Sequence, residues 1–85
     1  MATMKLEIVT AEGTVYSGEV ESIVAPGEAG ELGILPNHAP LLTSLKAGNL
    51  LVSENGNRQI VTISGGFLEM LANKVTVLAD SAELS

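Results

Sequence analysis

The sequence predicts an all-β domain, a sandwich or flattened barrel, and three observations lead there. Apolar and polar residues alternate with a period of two rather than the ~3.6 of a helix. Asn55-Gly56 stands between two runs rich in β-branched residues and leucine, the strongest short-range signal of a hairpin. Further turn signals follow at close spacing, the pattern of strands folded back on one another.

Taken in order, Lys5-Leu6-Glu7-Ile8-Val9 alternates and reads as a first strand. Thr14-Val15-Tyr16-Ser17 opens a second, which Glu19-Val20-Glu21 continues to Val24. The phase slips at Ser22-Ile23, so one long strand is expected to bend or bulge there, before Pro26-Gly27 breaks the pattern. Leu50-Leu51-Val52-Ser53 and Gln59-Ile60-Val61-Thr62-Ile63 flank Glu54-Asn55-Gly56-Asn57, where a type I′ turn is expected. A second tight turn is expected at Ala72-Asn73, between Phe67-Leu68-Glu69-Met70-Leu71 and Lys74-Val75-Thr76-Val77-Leu78. Only Ser81-Ala82-Glu83-Leu84-Ser85 reads as the start of a helix, and it is too short for more than one turn.

Composition narrows the function classes. Eighty-five residues make one small domain. With 46% hydrophobic and 16% charged residues the chain is not disordered, and with 2% aromatics its core must be aliphatic. Ten acidic residues against four basic ones give a net charge of −6, and the bases stand singly at Lys5, Lys46, Arg58 and Lys74. Such a chain is no general nucleic-acid binder, since phosphate neutralisation needs clustered cations. The absence of cysteine excludes disulfides, thiol nucleophiles and thiolate metal sites. No apolar run approaches the ~18 residues of a membrane span, and MATMKLEIVT lacks the form of a signal peptide. A single histidine and dispersed carboxylates leave little material for a metal site or triad. A binding module is expected, with no cofactor and no metal. Residues 1–45 carry one lysine and six glutamates, and residues 46–85 three basic and four acidic residues, so the acidic half is the side on which a partner is sought.

The segment 28–43, EAGELGILPNHAPLLT, is the most informative. Gly30 and Gly33 bracket Glu31-Leu32 and are read as turn glycines that display Glu31. Pro36 and Pro40 stiffen the flanks of His38. Leu41 and Leu42 are adjacent, so in an extended segment only one of them faces the domain's own core. The other needs cover, from a partner or from a loop of the same chain. Leu50-Leu51-Val52 poses the same question, and Val77-Leu78-Ala79 more weakly. His38 has no nucleophile or second ligand in its segment, so a surface contact or local hydrogen bond is expected rather than catalysis. Gly65-Gly66 lacks the Gly-Lys-Ser/Thr ending of a phosphate loop and reads as a close backbone approach. Glu69 and Asp80 read as solvated or structural carboxylates.

Val9-Thr10-Ala11-Glu12 with Ser17-Gly18, the central GELGILPNHAPLLT, Ile63-Ser64-Gly65-Gly66 and Thr76-Val77-Leu78-Ala79-Asp80 together resemble the epsilon subunit family of F-type ATP synthases (delta in mitochondria), over its N-terminal β-domain. The resemblance implies two roughly five-stranded antiparallel sheets packed as a flattened sandwich. It also implies a non-catalytic subunit of the rotary, proton-translocating enzyme, at the foot of the central stalk, coupling the gamma subunit to the membrane-embedded c-ring during ATP synthesis. The place implied is peripheral to the membrane on the side of the catalytic head: bacterial cytoplasm, thylakoid stroma or mitochondrial matrix. Carried over by position, Glu31 meets the polar loops of the c-ring, while His38, Thr43 and, more weakly, Thr10 face gamma, His38 lying close to the ring as well. Leu42 lies beside these, so a gamma contact is the cover expected for the uncovered member of its doublet. An exposed ion pair at Glu31 would add only ~0–1 kcal/mol, so most affinity is expected from aliphatic surface on the gamma side.

Two positions depart from the family pattern. Asn37 stands where many relatives have glycine, and asparagine tolerates the left-handed turn required there. The C-terminal helical hairpin of the family is expected to be absent from residues 1–85, which removes the ground for expecting inhibition or ATP binding through it. The alternative from another class is a biotinyl- or lipoyl-type carrier modified on Lys46, although Leu45-Lys46-Ala47 lacks the residues that flank the carrier lysine. A small enzyme built on His38 is poorer still, for want of a nucleophile–base pair.

Overall fold

The computed structural model describes residues 2–85, which form ten strands and no helix among the described residues. The strands are β1 (Met4–Thr10), β2 (Gly13–Val20), β3 (Ser22–Gly27), β4 (Gly30–Ile34), β5 (Leu41–Leu45), β6 (Gly48–Glu54), β7 (Asn57–Ile63), β8 (Gly66–Leu71), β9 (Lys74–Ala79) and β10 (Ala82–Leu84). Hydrogen bonding runs in the order β10-β7-β6-β3-β5-β8-β9-β1-β2, with β4 on β3. All these pairs are antiparallel except β1 with β9.

The order divides into two layers, β2-β1-β9-β8-β5 and β4-β3-β6-β7-β10, hinged where Gly27 pairs with Leu45. At the opposite seam the Tyr16 hydroxyl donates to the Glu54 carboxylate, tying β2 to the end of β6. The result is the flattened sandwich or barrel that the periodicity predicts. Inward residues of both layers, among them Leu6, Ile8, Ile23, Leu50, Val52, Leu68, Met70 and Val77, are at most 1% exposed. Each such side chain contributes about 1.5–3 kcal/mol by leaving water, and no polar residue is buried among those described.

The turns follow their expected chemistry. Asn55 and Gly56 have φ of 52° and 79°, and Ala72 and Asn73 have 51° and 61°, both type I′ geometry. Asn37 takes the left-handed conformation at φ 66°, as expected of its side chain.

Four local readings are corrected. The long strand expected from Thr14 to Val24 is two strands, broken at Glu21. Val20 and Ile23 are both fully buried although three residues apart, because the chain crosses there to the facing layer, where inward points the other way. A register shift does occur, but within β1–β2, where Ile8 pairs with Tyr16 and Val9 with Thr14. Pro26 and Gly27 do not break the pattern: they remain in β3, paired with Glu31 and Gly30. On its other side β3 pairs with β6 only to Val24 and with β5 only at Gly27, so a residue with no N–H fits the gap, and Pro26 O still accepts the Lys46 N–H at 2.9 Å. Finally, residues 81–85 start no helix. Ala82–Leu84 pair with Ile63, Thr62 and Val61 on the open edge of β7, a gain that a single uncapped helical turn cannot match.

Candidate functional site

The outward face of the β2-β1-β9-β8-β5 layer can be drawn from its register. One row across the strands runs Leu42–Glu69–Thr76–Glu7, and the next runs Ser44–Phe67–Leu78–Val9. Leu42 is 73% exposed, and Phe67 and Leu78 are 55% exposed each. With Glu69 and Thr76 they line a shallow depression of about 210 Å³. Leu71, on the same side of β8, extends the apolar surface toward the Ala72-Asn73 turn. From β5 to β1 the face spans three strand spacings, ~14 Å. A contiguous apolar patch of this kind marks an interaction surface.

The adjacent leucines divide as the extended geometry requires. Leu41 packs against the core and Leu42 faces out, without a covering loop. Leu50 and Val52 are buried while Leu51 between them is half-buried. Val77 and Ala79 are buried and Leu78 is exposed. Phe67 was not legible as part of this surface from its own surroundings. The signal available was that both alternating sets of Phe67-Leu68-Glu69-Met70-Leu71 contain large apolar residues, which means two apolar faces on one strand.

The other sequence-derived candidates are not gathered onto this face. Thr43 lies on β5 beside Leu42 but on the opposite side, half-buried. Thr10 ends β1, where its hydroxyl accepts the Glu12 N–H at 3.2 Å and so organises the β1–β2 turn. Glu31 is exposed on β4 opposite Pro26, within a strand rather than in the loop expected; Gly30 alone of its two flanking glycines has a positive φ, 133°. Thus Gly33 serves no turn. His38 is exposed beyond the other end of β4, its N–H bonded to Leu35 O at 3.2 Å and its Nδ1 2.7 Å from Ala39 O. The turn that carries it is docked on the β8–β9 turn: Asn73 Oδ1 accepts the Asn37 N–H at 2.8 Å, and Asn73 Nδ2 donates to Thr3 O at 2.9 Å. One asparagine therefore locks the His38 turn to the end of the apolar layer.

No group of three or more metal-ligating side chains occurs among the described residues, and no helix among them is long and apolar enough to cross a membrane. Lys46 lies between β5 and β6, strands that do not pair with each other, and its own N–H is held by Pro26 O. It is therefore not raised on a hairpin tip. The Tyr16 phenol is raised above its usual range by partial burial first and then by the hydrogen bond to, and charge of, Glu54.

Residues 3–85 match the family described as ATP synthase, Delta/Epsilon chain, beta-sandwich domain. An ATP synthase epsilon chain of Dehalococcoides mccartyi is 54% identical over 83 residues, which are 98% of this chain and 59% of that protein. One of Desulforamulus reducens is 53% identical over 81 residues, 95% of this chain and 61% of that one. The chain thus spans about three fifths of the length of these curated relatives. Among solved structures, a chain of the Euglena gracilis mitochondrial ATP synthase (OSCP/F1/c-ring) superposes with a TM-score of 0.92 at 25% identity, covering 99% of this chain and 54% of that one. A chain of the Tetrahymena thermophila mitochondrial ATP synthase central stalk and c-ring shares the fold, with a TM-score of 0.79 at 17% identity, covering 94% and 65%.

Proposed function

The chain belongs to the β-sandwich family of ATP synthase delta and epsilon chains, and from that membership we propose that it is a non-catalytic part of the rotary central stalk, joining the gamma subunit to the c-ring so that ring torque reaches gamma during ATP synthesis. It sits peripherally at the membrane, on the side of the catalytic head. The observation that carries the reading is the exposed apolar face at Leu42, Phe67 and Leu78. A stalk subunit must hold a partner through rotation, and desolvation of aliphatic and aromatic surface is the main source of such affinity.

Within this reading Leu42 contacts gamma directly, with Phe67 and Leu78 beside it. His38 contacts gamma from the turn held by Asn73. Thr43 and Thr10, which lie off the apolar face, reach gamma only at the margin of the contact. Glu31, exposed on β4, meets the polar loops of the c-ring, where carboxylate hydrogen bonds to Arg, Gln or backbone donors orient more than they bind.

Binding of the chain to isolated gamma, followed by crosslinking and pull-down, tests the proposal. Association that is lost on Leu42→Asp is expected; no association, or none of the expected loss, overturns it. A crosslink from Glu31→Cys to the ring loops tests the second contact separately. Family membership favours this reading over a carrier modified on Lys46, and the intact mass of native protein checks that choice, since a carrier would bear an adduct there.

A further inference from the structure

The apolar depression has a carboxylate in it. Glu69 lies opposite Leu42 on one side and Thr76 on the other, and lines the depression with Phe67 and Leu78. Glu7 flanks Thr76 from the far side, on β1. Lys74, two residues before Thr76 on the same face of β9, is diagonal to both carboxylates. It pairs with Glu7 at 3.1 Å, and this is the single ion pair among the described residues. Lys5, opposite Lys74 and two residues before Glu7 on the same side of β1, is a second base on this face. Of the carboxylates, Glu7 holds the ion pair and Glu69 has none among the described residues. Of the two, Glu69 is the one inside the depression.

A partner that covers Leu42, Phe67 and Leu78 strips water from Glu69. A desolvated carboxylate without a counter-charge opposes binding, whereas one met by a cation in a dry setting aligns the two surfaces and rejects partners that lack it. Resting on the stalk reading above, we propose that Glu69 is the specificity-determining residue of this face: the gamma segment that docks on it is apolar and carries a lysine or arginine aimed at the Glu69 carboxylate. Glu69, which reads in the sequence as a solvated carboxylate, is then the polar key within an otherwise apolar contact.

The sign of one substitution decides the matter. Titration calorimetry of the chain against gamma, at low and at moderate salt, is run with Glu69→Gln, Glu69→Lys and Leu42→Asp, each checked for an unchanged thermal melt. Glu69→Gln is expected to weaken binding about tenfold or more and to flatten its salt dependence. Glu69→Lys is expected to weaken it further, with recovery when one basic residue of gamma is changed to glutamate. If Glu69→Gln binds equally well or more tightly while Leu42→Asp still abolishes binding, Glu69 meets no cation, and the inference fails while the docking reading stands. If Leu42→Asp binds like the parent, the docking reading fails and takes this inference with it.

Discussion

Phe67 on β8 and Leu78 on β9 are directly opposed in the ladder, and both turn outward. The next pair along, Leu68 with Val77, turns inward and is fully buried. Two neighbouring strands therefore present apolar pairs on both faces. The inner pair belongs to the core. The outer pair gains only the ~0.2–1 kcal/mol of a cross-strand contact while remaining largely in water, so its value lies in what covers it.

This contrast makes the first prediction. Phe67→Ser should change the melting temperature by no more than about 2–4 °C, as exposed substitutions do, yet sharply weaken gamma binding. Leu68→Ala, one residue away, should cost about 2–5 kcal/mol and lower the melt by at least ~8 °C. Thermal melts beside a binding assay check it; equal destabilisation by both would mean that Phe67 is part of the core.

What was legible in the sequence was whatever local chemistry decides. Asn55-Gly56 and Ala72-Asn73 announced their turns, Asn37 its left-handed backbone, and the Leu41-Leu42 doublet its divided burial. What was not legible depended on neighbours distant in the chain. Ala82–Leu84 became a strand because β7 offered an open edge, and Pro26 stayed in a strand because β3 changes partners beside it. The outward apolar row was half legible: Leu42 from its doublet, Phe67 only once its register with Leu78 was known.

Gly66 gives the second prediction. A β-carbon there would lie 2.0 Å from Leu78 O, and its φ of 149° already disfavours a side chain. Both obstacles are backbone, so nothing can swing away. Gly66→Ala should cost about 3 kcal/mol or more, measured by urea unfolding. Gly30→Ala, with a φ of 133° but open space, should cost only the strain, about 1–2 kcal/mol. Equal losses at the two sites would show that conformation rather than contact sets the cost.

Ala72 gives the third, in the opposite direction. Its φ of 51° is unfavourable for a residue with a β-carbon and no local hydrogen bond to offer. Asn73 beside it is committed through both side-chain polar atoms, so Ala72 is the position free to change. Ala72→Asn should stabilise by about 0.5–1 kcal/mol, raising the melt by about 2–8 °C. A lower melting temperature would show that the turn is not under this strain.

The seam between β2 and β6 supplies a pH prediction. Tyr16 is the single tyrosine of the chain, so absorbance near 295 nm follows its ionisation alone. Its pKa is raised in the fold, by partial burial and then by the hydrogen bond to, and charge of, Glu54. The native state therefore keeps a proton that the unfolded chain gives up at about pH 10. The sign follows: the stabilisation is fully present below about pH 10, and it declines as pH climbs from there through the raised native value. Tyr16→Phe removes the titrating group, so its stability should fall less steeply than the parent's above about pH 10. Glu54→Gln removes the charge and should move the phenol's midpoint back toward the ordinary one, but not all the way, because the first cause, burial, remains. A parent midpoint at the ordinary value, or no difference between the parent and Tyr16→Phe in alkaline melts, would mean that the seam is not closed by this hydrogen bond in solution.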